Sequence, residues 1–281
     1  MSLLPRNQVR IELAPNYVNL QHVARSVTLR GYHSSVVANG IFSASAVDGE
    51  AAAWGPPIHT LETILSEHAG IEMPATVLLS NHFVRYVLVP WSESLREAAE
   101  LESYARHCFS MMYGEAVGQW DVRVSPDRPG RVRLASAVEP GLLSALRAVM
   151  GKTGVRLHSV QPYSMAVFND CRHHFRRRDA WFALLEPGIL CLALLQHGHW
   201  ARVRCLRIGN EWRTELGFLL EREAYLADGE AATDDVFLWA TGMGELNLPD
   251  SGRWQIHVLA SDRRFGPTPA LEEPVARAMD A

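Results

Sequence analysis

The chain has 281 residues, of which 48% are hydrophobic and 21% charged, and its formal net charge is −4. This composition fits one large or two ordinary globular domains and argues against a disordered chain or a coiled coil. The acidic balance disfavours non-specific nucleic-acid binding over the whole surface, and no run of about 18 apolar residues is present to span a bilayer.

Apolar and polar residues alternate over Val9–Val23 around Ala14-Pro15-Asn16, which predicts a hairpin. Short strand-like runs continue to Ala53, with Asp48-Gly49 as a turn, so the chain opens on three antiparallel strands. Ile58–Ala69 carries Leu61, Ile64, Leu65 and His68 at helical spacing, with Gly70 as a stop. Thr76–Val89 reads as one or two strands ended by Pro90-Trp91. Ser92–Tyr113 reads as a helix, with capping-box spacing at Ser94 and Glu97 and acids crowding its start.

Trp120–Val124 and Arg131–Val138 predict a strand pair, Pro140–Gly151 a helix and Val155–Val160 a strand. A composition break follows over Cys171–Asp179, where Arg172, Arg176, Arg177 and Arg178 cluster. We place the domain boundary here: residues 1–170 form a first lobe with an α/β subdomain inserted around 76–162, 171–179 a basic linker, and 180–281 a smaller second lobe. In that lobe Ala180–Leu195 and Trp200–Ile208 predict a long hairpin, Trp212–Ala227 a helix, and Val236–Trp239 and Trp254–Leu259 strands. A short helix is expected over Leu271–Met279.

Several motifs carry no chemistry. Gly151-Lys152-Thr153 lacks the phosphate-loop glycine five residues before Gly151, where Leu146 stands, and follows a helix where a strand is required. No G-x-S-x-G elbow is present. None of the four cysteines forms a C-x-x-C pair, and Cys171, His173 and His174 lack zinc-site spacing. The N-terminus lacks the order of a signal peptide, so a cytoplasmic location is expected.

The strand–turn–strand opening recurs: Arg10–Leu20 begins one half, and Phe182–Leu192, followed by His197-Gly198-His199, begins another. The repeated order of three strands, helix, strand, helix resembles the actin-like ATPase, or ribonuclease-H-like, fold, an α/β class with mixed sheets and two lobes. Together with Phe83–Trp91, the acidic helix after it, and Arg131–Pro162, the first hairpin resembles the actin-like assembly proteins of type IV pilus and type II secretion systems, the PilM-like and GspL cytoplasmic-domain-like proteins. The resemblance covers most of the chain and rests on pattern more than on invariant residues.

It implies a nucleotide site that this chain has altered. The family's nucleotide-binding members place Asp, Gly, small hydroxyl residues and Lys in the first hairpin. Here Glu12, Ala14, Pro15-Asn16-Tyr17 and Asn19 stand in those places. Glu12 could hold a Mg²⁺-bound water, but Pro15 offers no N–H to a phosphate and Asn19 no positive charge. In the second hairpin Leu184 takes the place of the acid and Glu186 that of the glycine. The adenine-side signal is reduced to Phe237–Gly244, containing Gly242. Glu12, Asn16, Asn19, Glu186 and Gly242 are therefore the candidate positions of a degenerate nucleotide site, with no catalytic residue and no metal.

The resemblance implies a non-catalytic cytoplasmic scaffold at the inner face of the inner membrane. Such a scaffold would bind the cytoplasmic segment of a single-pass membrane protein and couple it to an assembly ATPase. Two alternatives stay open: an ATP- and Mg²⁺-binding protein with altered phosphate loops, and a lipid- or nucleic-acid-associated protein acting through the basic linker.

Overall fold

The computed structural model describes residues 7–28, 31–45, 52–67, 73–95, 97–227, 233–240, 248 and 252–259. The Asp48-Gly49 turn, Gly70, Gly242 and the 271–279 segment lie outside the described residues.

Two five-stranded sheets share one plan. The first has the order β3-β2-β1-β4-β8, from β1 (Gln8–Ala14), β2 (Tyr17–Thr28), β3 (Gly31–Ser43), β4 (Ala75–Leu79) and β8 (Leu157–Pro162). The second has the order β11-β10-β9-β12-β13, from β9 (Ala180–Glu186), β10 (Ile189–Gln196), β11 (His199–Arg207), β12 (Asp235–Ala240) and β13 (Gln255–Val258). In both, the first three strands in sequence are antiparallel and the last two join in parallel. The duplication read from the two hairpins therefore extends to whole sheets.

The hairpin loops have two residues each. Pro15-Asn16 joins β1 to β2, and Pro187-Gly188 joins β9 to β10. Proline presets the first turn position, and Gly188 at φ 81° supplies the positive φ that the second position of a type II turn requires.

Helix α1 (Gly55–Glu67) links β3 to β4, and α3 (Pro140–Thr153) precedes β8. Leu61 and Leu65 of α1 and Leu142 and Leu146 of α3 share a core with Val9, Ile11 and Leu13, the alternate residues of β1. Complete burial of Leu142 contributes roughly 2–3 kcal/mol. That core runs on through Phe175, Phe182, Leu184 and Trp239, so the two halves are packed together. The other face of the second sheet is covered by α5 (Trp212–Leu226), whose Trp212, Leu216 and Leu220 meet Trp181, Leu185 and Leu190. Buried on both faces, β9 reads as a continuous apolar run.

Between β4 and β8 lies an insertion of β5 (Val84–Val89), α2 (Ala98–Tyr113), a 3-10 turn over Gly114–Gln119, β6 (Asp121–Val124) and β7 (Arg133–Val138). Its sheet, β5-β7-β6, is separate and packs Val87, Val89 and Ala135 against Ala105 and Phe109 of α2. The apolar stretch 76–89 is thus two strands in two sheets.

Three elements differ from expectation. Helix α2 begins at Ala98, because Glu97 caps it and forms the reciprocal box with Glu100, whose carboxylate accepts the Glu97 N–H at 3.2 Å. Ser94 is spent elsewhere, since its hydroxyl bonds that of Ser92 at 2.7 Å and its N–H donates to Ser92 Oγ at 3.3 Å. A helix not anticipated, α4 (Tyr163–Cys171), follows β8 and buries Tyr163, Ser164, Val167 and Cys171. The expected long hairpin of Ala180–Leu195 with Trp200–Ile208 is a three-stranded meander, because its first arm breaks at the Pro187-Gly188 turn that the strand–turn–strand reading of Phe182–Leu192 also gave. Over 171–179, Cys171 and Phe175 are buried while Arg172, Arg176, Arg177 and Arg178 are exposed.

Candidate functional site

The two hairpins face a common cavity of about 570 Å³. Asn16 lies at its rim, and Glu186, Pro187 and Gly188 form the opposite side. Trp54, Phe83, Leu142 and Trp120 supply an apolar wall, while His82, Arg85 and Arg207 add nitrogen donors. The Trp54 indole N–H donates to Glu139 at 2.9 Å, which fixes this ring against the start of α3.

Glu12 stands behind the first turn and is engaged within the protein. Its carboxylate accepts Tyr17 O–H at 2.6 Å and Asn19 Nδ2 at 3.3 Å. Complete burial raises its pKa, against the lowering by these two donors and by Arg10. Asn19 Oδ1 and Gln21 Oε1, on the same face of β2, are buried without hydrogen-bond partners.

Glu186 crosses between the halves. Its Oε2 accepts the Asn81 backbone N–H at 3.0 Å and Asn81 Nδ2 at 2.6 Å. Asn81 Oδ1 in turn accepts Tyr86 O–H at 2.8 Å, and that hydroxyl lies 2.7 Å from Ser164 Oγ. The other oxygen, Glu186 Oε1, is buried with no hydrogen-bond partner. Burial pushes the Glu186 carboxyl up to about 7, and the nearby Glu12 charge pushes the same way. Beside this contact, His82 Nε2 meets the Pro187 carbonyl at 2.9 Å. Burial holds His82 below the ordinary imidazole value, so at neutral pH it is the neutral ring's N–H that donates. The halves are also tied by Trp239 Nε1, which donates to Tyr163 O–H at 3.1 Å.

The structure therefore brings Glu12, Asn16, Asn19 and Glu186 to the paired hairpins, with only Asn16 and Glu186 lining the cavity. Sequence reasoning missed Asn81, His82, Arg85, Trp54, Trp120 and Arg207. The one available signal was Ser80-Asn81-His82, a polar break inside an apolar stretch. A magnesium nucleotide fits this donor set poorly. Pro15 presents no N–H, the Glu12 carboxylate is already bonded on both oxygens, and Glu186 adds a carboxylate to the cavity lining, which disfavours an anion. Among the described residues no cluster of three His, Cys, Asp or Glu side chains is placed to hold a metal ion.

The repeated sheet plan and the cavity between its two hairpins define an actin-like ATPase fold. No protein-family model matches the chain, and no curated protein sequence matches it. Among solved structures it is similar to the cytoplasmic domain of EpsL, an inner-membrane component of the Vibrio cholerae type II secretion system. The two share 12% identity, 90% of this chain and 89% of that one are covered, and the TM-score is 0.55. It is similar to a chain of the PilM–PilN type IV pilus biogenesis complex, at 12% identity, 83% and 81% coverage and a TM-score of 0.60. A Bacteroides thetaiotaomicron protein with an actin-like ATPase fold matches at 8% identity, 84% and 82% coverage and a TM-score of 0.53. At such identities the likeness establishes the fold. Among the described residues no helix is long and apolar enough to cross a membrane.

Proposed function

We propose that this chain is a non-catalytic, actin-like scaffold of a type IV pilus or type II secretion assembly platform, working at the cytoplasmic face of the inner membrane. It binds the cytoplasmic segment of a single-pass membrane partner and couples it to the assembly ATPase. One observation carries the reading: the two hairpin carboxylates are engaged by the protein's own groups, Glu186 bonding Asn81 across the halves while Tyr17 and Asn19 hold Glu12. The roles of EpsL in type II secretion and of PilM–PilN in type IV pilus biogenesis support the choice of machine. The cavity, about 570 Å³ with Trp54 and Trp120 in its wall, is of the size that takes a few side chains of a short peptide.

The test is calorimetric titration of the purified chain with Mg²⁺-ATP and, separately, with N-terminal peptides of single-pass membrane proteins encoded beside its gene. The scaffold reading expects no heat from nucleotide up to millimolar concentration. It also expects saturable binding of one peptide, weakened in Trp54→Ala. A second reading, an ATP-binding protein with altered loops, draws on Arg85 and Arg207 in the cavity wall. Micromolar ATP binding abolished by Arg207→Ala would put that reading first.

A further inference from the structure

A second groove, of about 280 Å³, runs between β11 and the insertion, with Val87, Leu88 and Val203 among the residues that line it. It shares no lining residue with the cavity between the hairpins. One wall is Met112, near the end of α2; the other is Arg202 and Arg204, two residues apart on β11.

The arginines are unusually arranged. Arg202, Arg204 and Arg222 converge on one carboxylate, Glu223 of α5, at 3.5, 3.9 and 3.2 Å. Glu223 is 2% exposed, whereas the three arginine side chains are 25–44% exposed. Among the described residues Glu223 is the one carboxylate paired with these three guanidiniums, so the described surface there carries two positive charges in excess. Exposed apolar groups flank them on both sides. Met111 and Met112 are 77% and 50% exposed, and Tyr225 and Leu226, closing α5, are 86% and 47% exposed. Arg202 joins these two flanks, lining the groove beside Met112 while its Nη1 donates to the Leu226 carbonyl at 2.8 Å. Arginine, tyrosine and methionine are the side chains enriched at the centres of protein interfaces.

We propose that this surface docks an acidic amphipathic segment of a protein partner. Its apolar side chains lie in the groove against Met112, and its carboxylates pair with Arg202, Arg204 and Arg222. Two surplus charges are too few for an anionic membrane, which is held by clusters of about 4–8 basic residues. A helix laid in an apolar groove needs only a few anchors one turn apart. The proposal stands independently of what the other cavity binds.

The test is selection of displayed random peptides, about four helical turns long, against the full chain, followed by anisotropy titration of the enriched sequences. The expected winners are net acidic with apolar residues at helical spacing, and they bind more weakly as salt is raised. Their Kd rises about tenfold in Met112→Glu and in Arg222→Ala, both of which keep the parent melting temperature within a few degrees. It stays unchanged in Arg123→Ala, on the far edge of the small sheet. The proposal is overturned by a selection that enriches nothing, by neutral or basic winners, or by acidic winners indifferent to both Met112→Glu and Arg222→Ala. It is also overturned if the groove variants abolish self-association in sedimentation, or pelleting with phosphatidylserine vesicles.

Discussion

Replacing Glu186 by glutamine should make the protein more stable at alkaline pH and flatten its pH dependence. Burial raises the Glu186 carboxyl from the ordinary 4.5 to about 7, so the folded protein holds this proton more tightly than the unfolded chain does. The contribution is fully present below pH about 4.5 and is lost as pH rises through about 7. At about 1.4 kcal/mol for each tenfold in proton affinity, the ionised group costs the fold about 3 kcal/mol at pH 8. Glutamine keeps one oxygen to accept both Asn81 donors. Its amide replaces Oε1, which is buried with no hydrogen-bond partner. The assay is urea unfolding followed by tryptophan fluorescence at pH 5, 6, 7 and 8. The parent should lose stability steadily from pH 5 to 8. Glu186→Gln should match it near pH 5 and exceed it by about 2–3 kcal/mol at pH 8, with a residual slope set by Glu12, which burial shifts in the same direction, and by His82, whose lowered pKa acts in the opposite one. A difference between variant and parent that stays flat from pH 5 to 8, or shrinks, would refute the reasoning.

Tyr17→Phe removes the 2.6 Å donor to Glu12 and should cost about 1–3 kcal/mol, more at pH 8 than at pH 5, by the same unfolding assay. Gly198→Ala places a Cβ 2.6 Å from the Phe175 carbonyl oxygen at φ +81°. A loss of about 2 kcal/mol or more is expected, whereas Gly209→Ala, with open space around it, should cost little. Glu97→Ala removes the side-chain acceptor of the α2 box, leaving only the backbone N–H at 97 bonded to Glu100, and should lower stability by about 1 kcal/mol. Ser94→Ala should change it by less than about 0.5 kcal/mol, which thermal melts would separate.

The strands and most helices were legible because hydrophobic periodicity is local. Val9, Ile11 and Leu13 announce one buried face of β1, and Leu142, Leu143, Leu146 and Val149 the buried face of α3. Cap positions were harder. Ser94-x-x-Glu97 and Glu97-x-x-Glu100 satisfy the same spacing, and the serine is the stronger capping residue by type. Its hydroxyl is drawn off by Ser92, a competition that appears only when the turn is built. Helix α4 was missed because it is nine residues long and starts after Pro162, too short for periodicity to speak.

The amino-acid sequence by itself determined the duplicated hairpins, the proline at each of their turns and the acid at Glu186. Those are matters of residue identity and of spacing within about ten positions. Only the tertiary structure decided what these residues do. Glu186 and Asn81 are 105 positions apart, and no periodicity links them. They meet because the two sheets share a core through Leu184 and Trp239, which sets the hairpins face to face. The same packing removes Glu12 and Glu186 from water, and that burial, a property of the assembled lobes, keeps their protons on longer than any local motif would foretell.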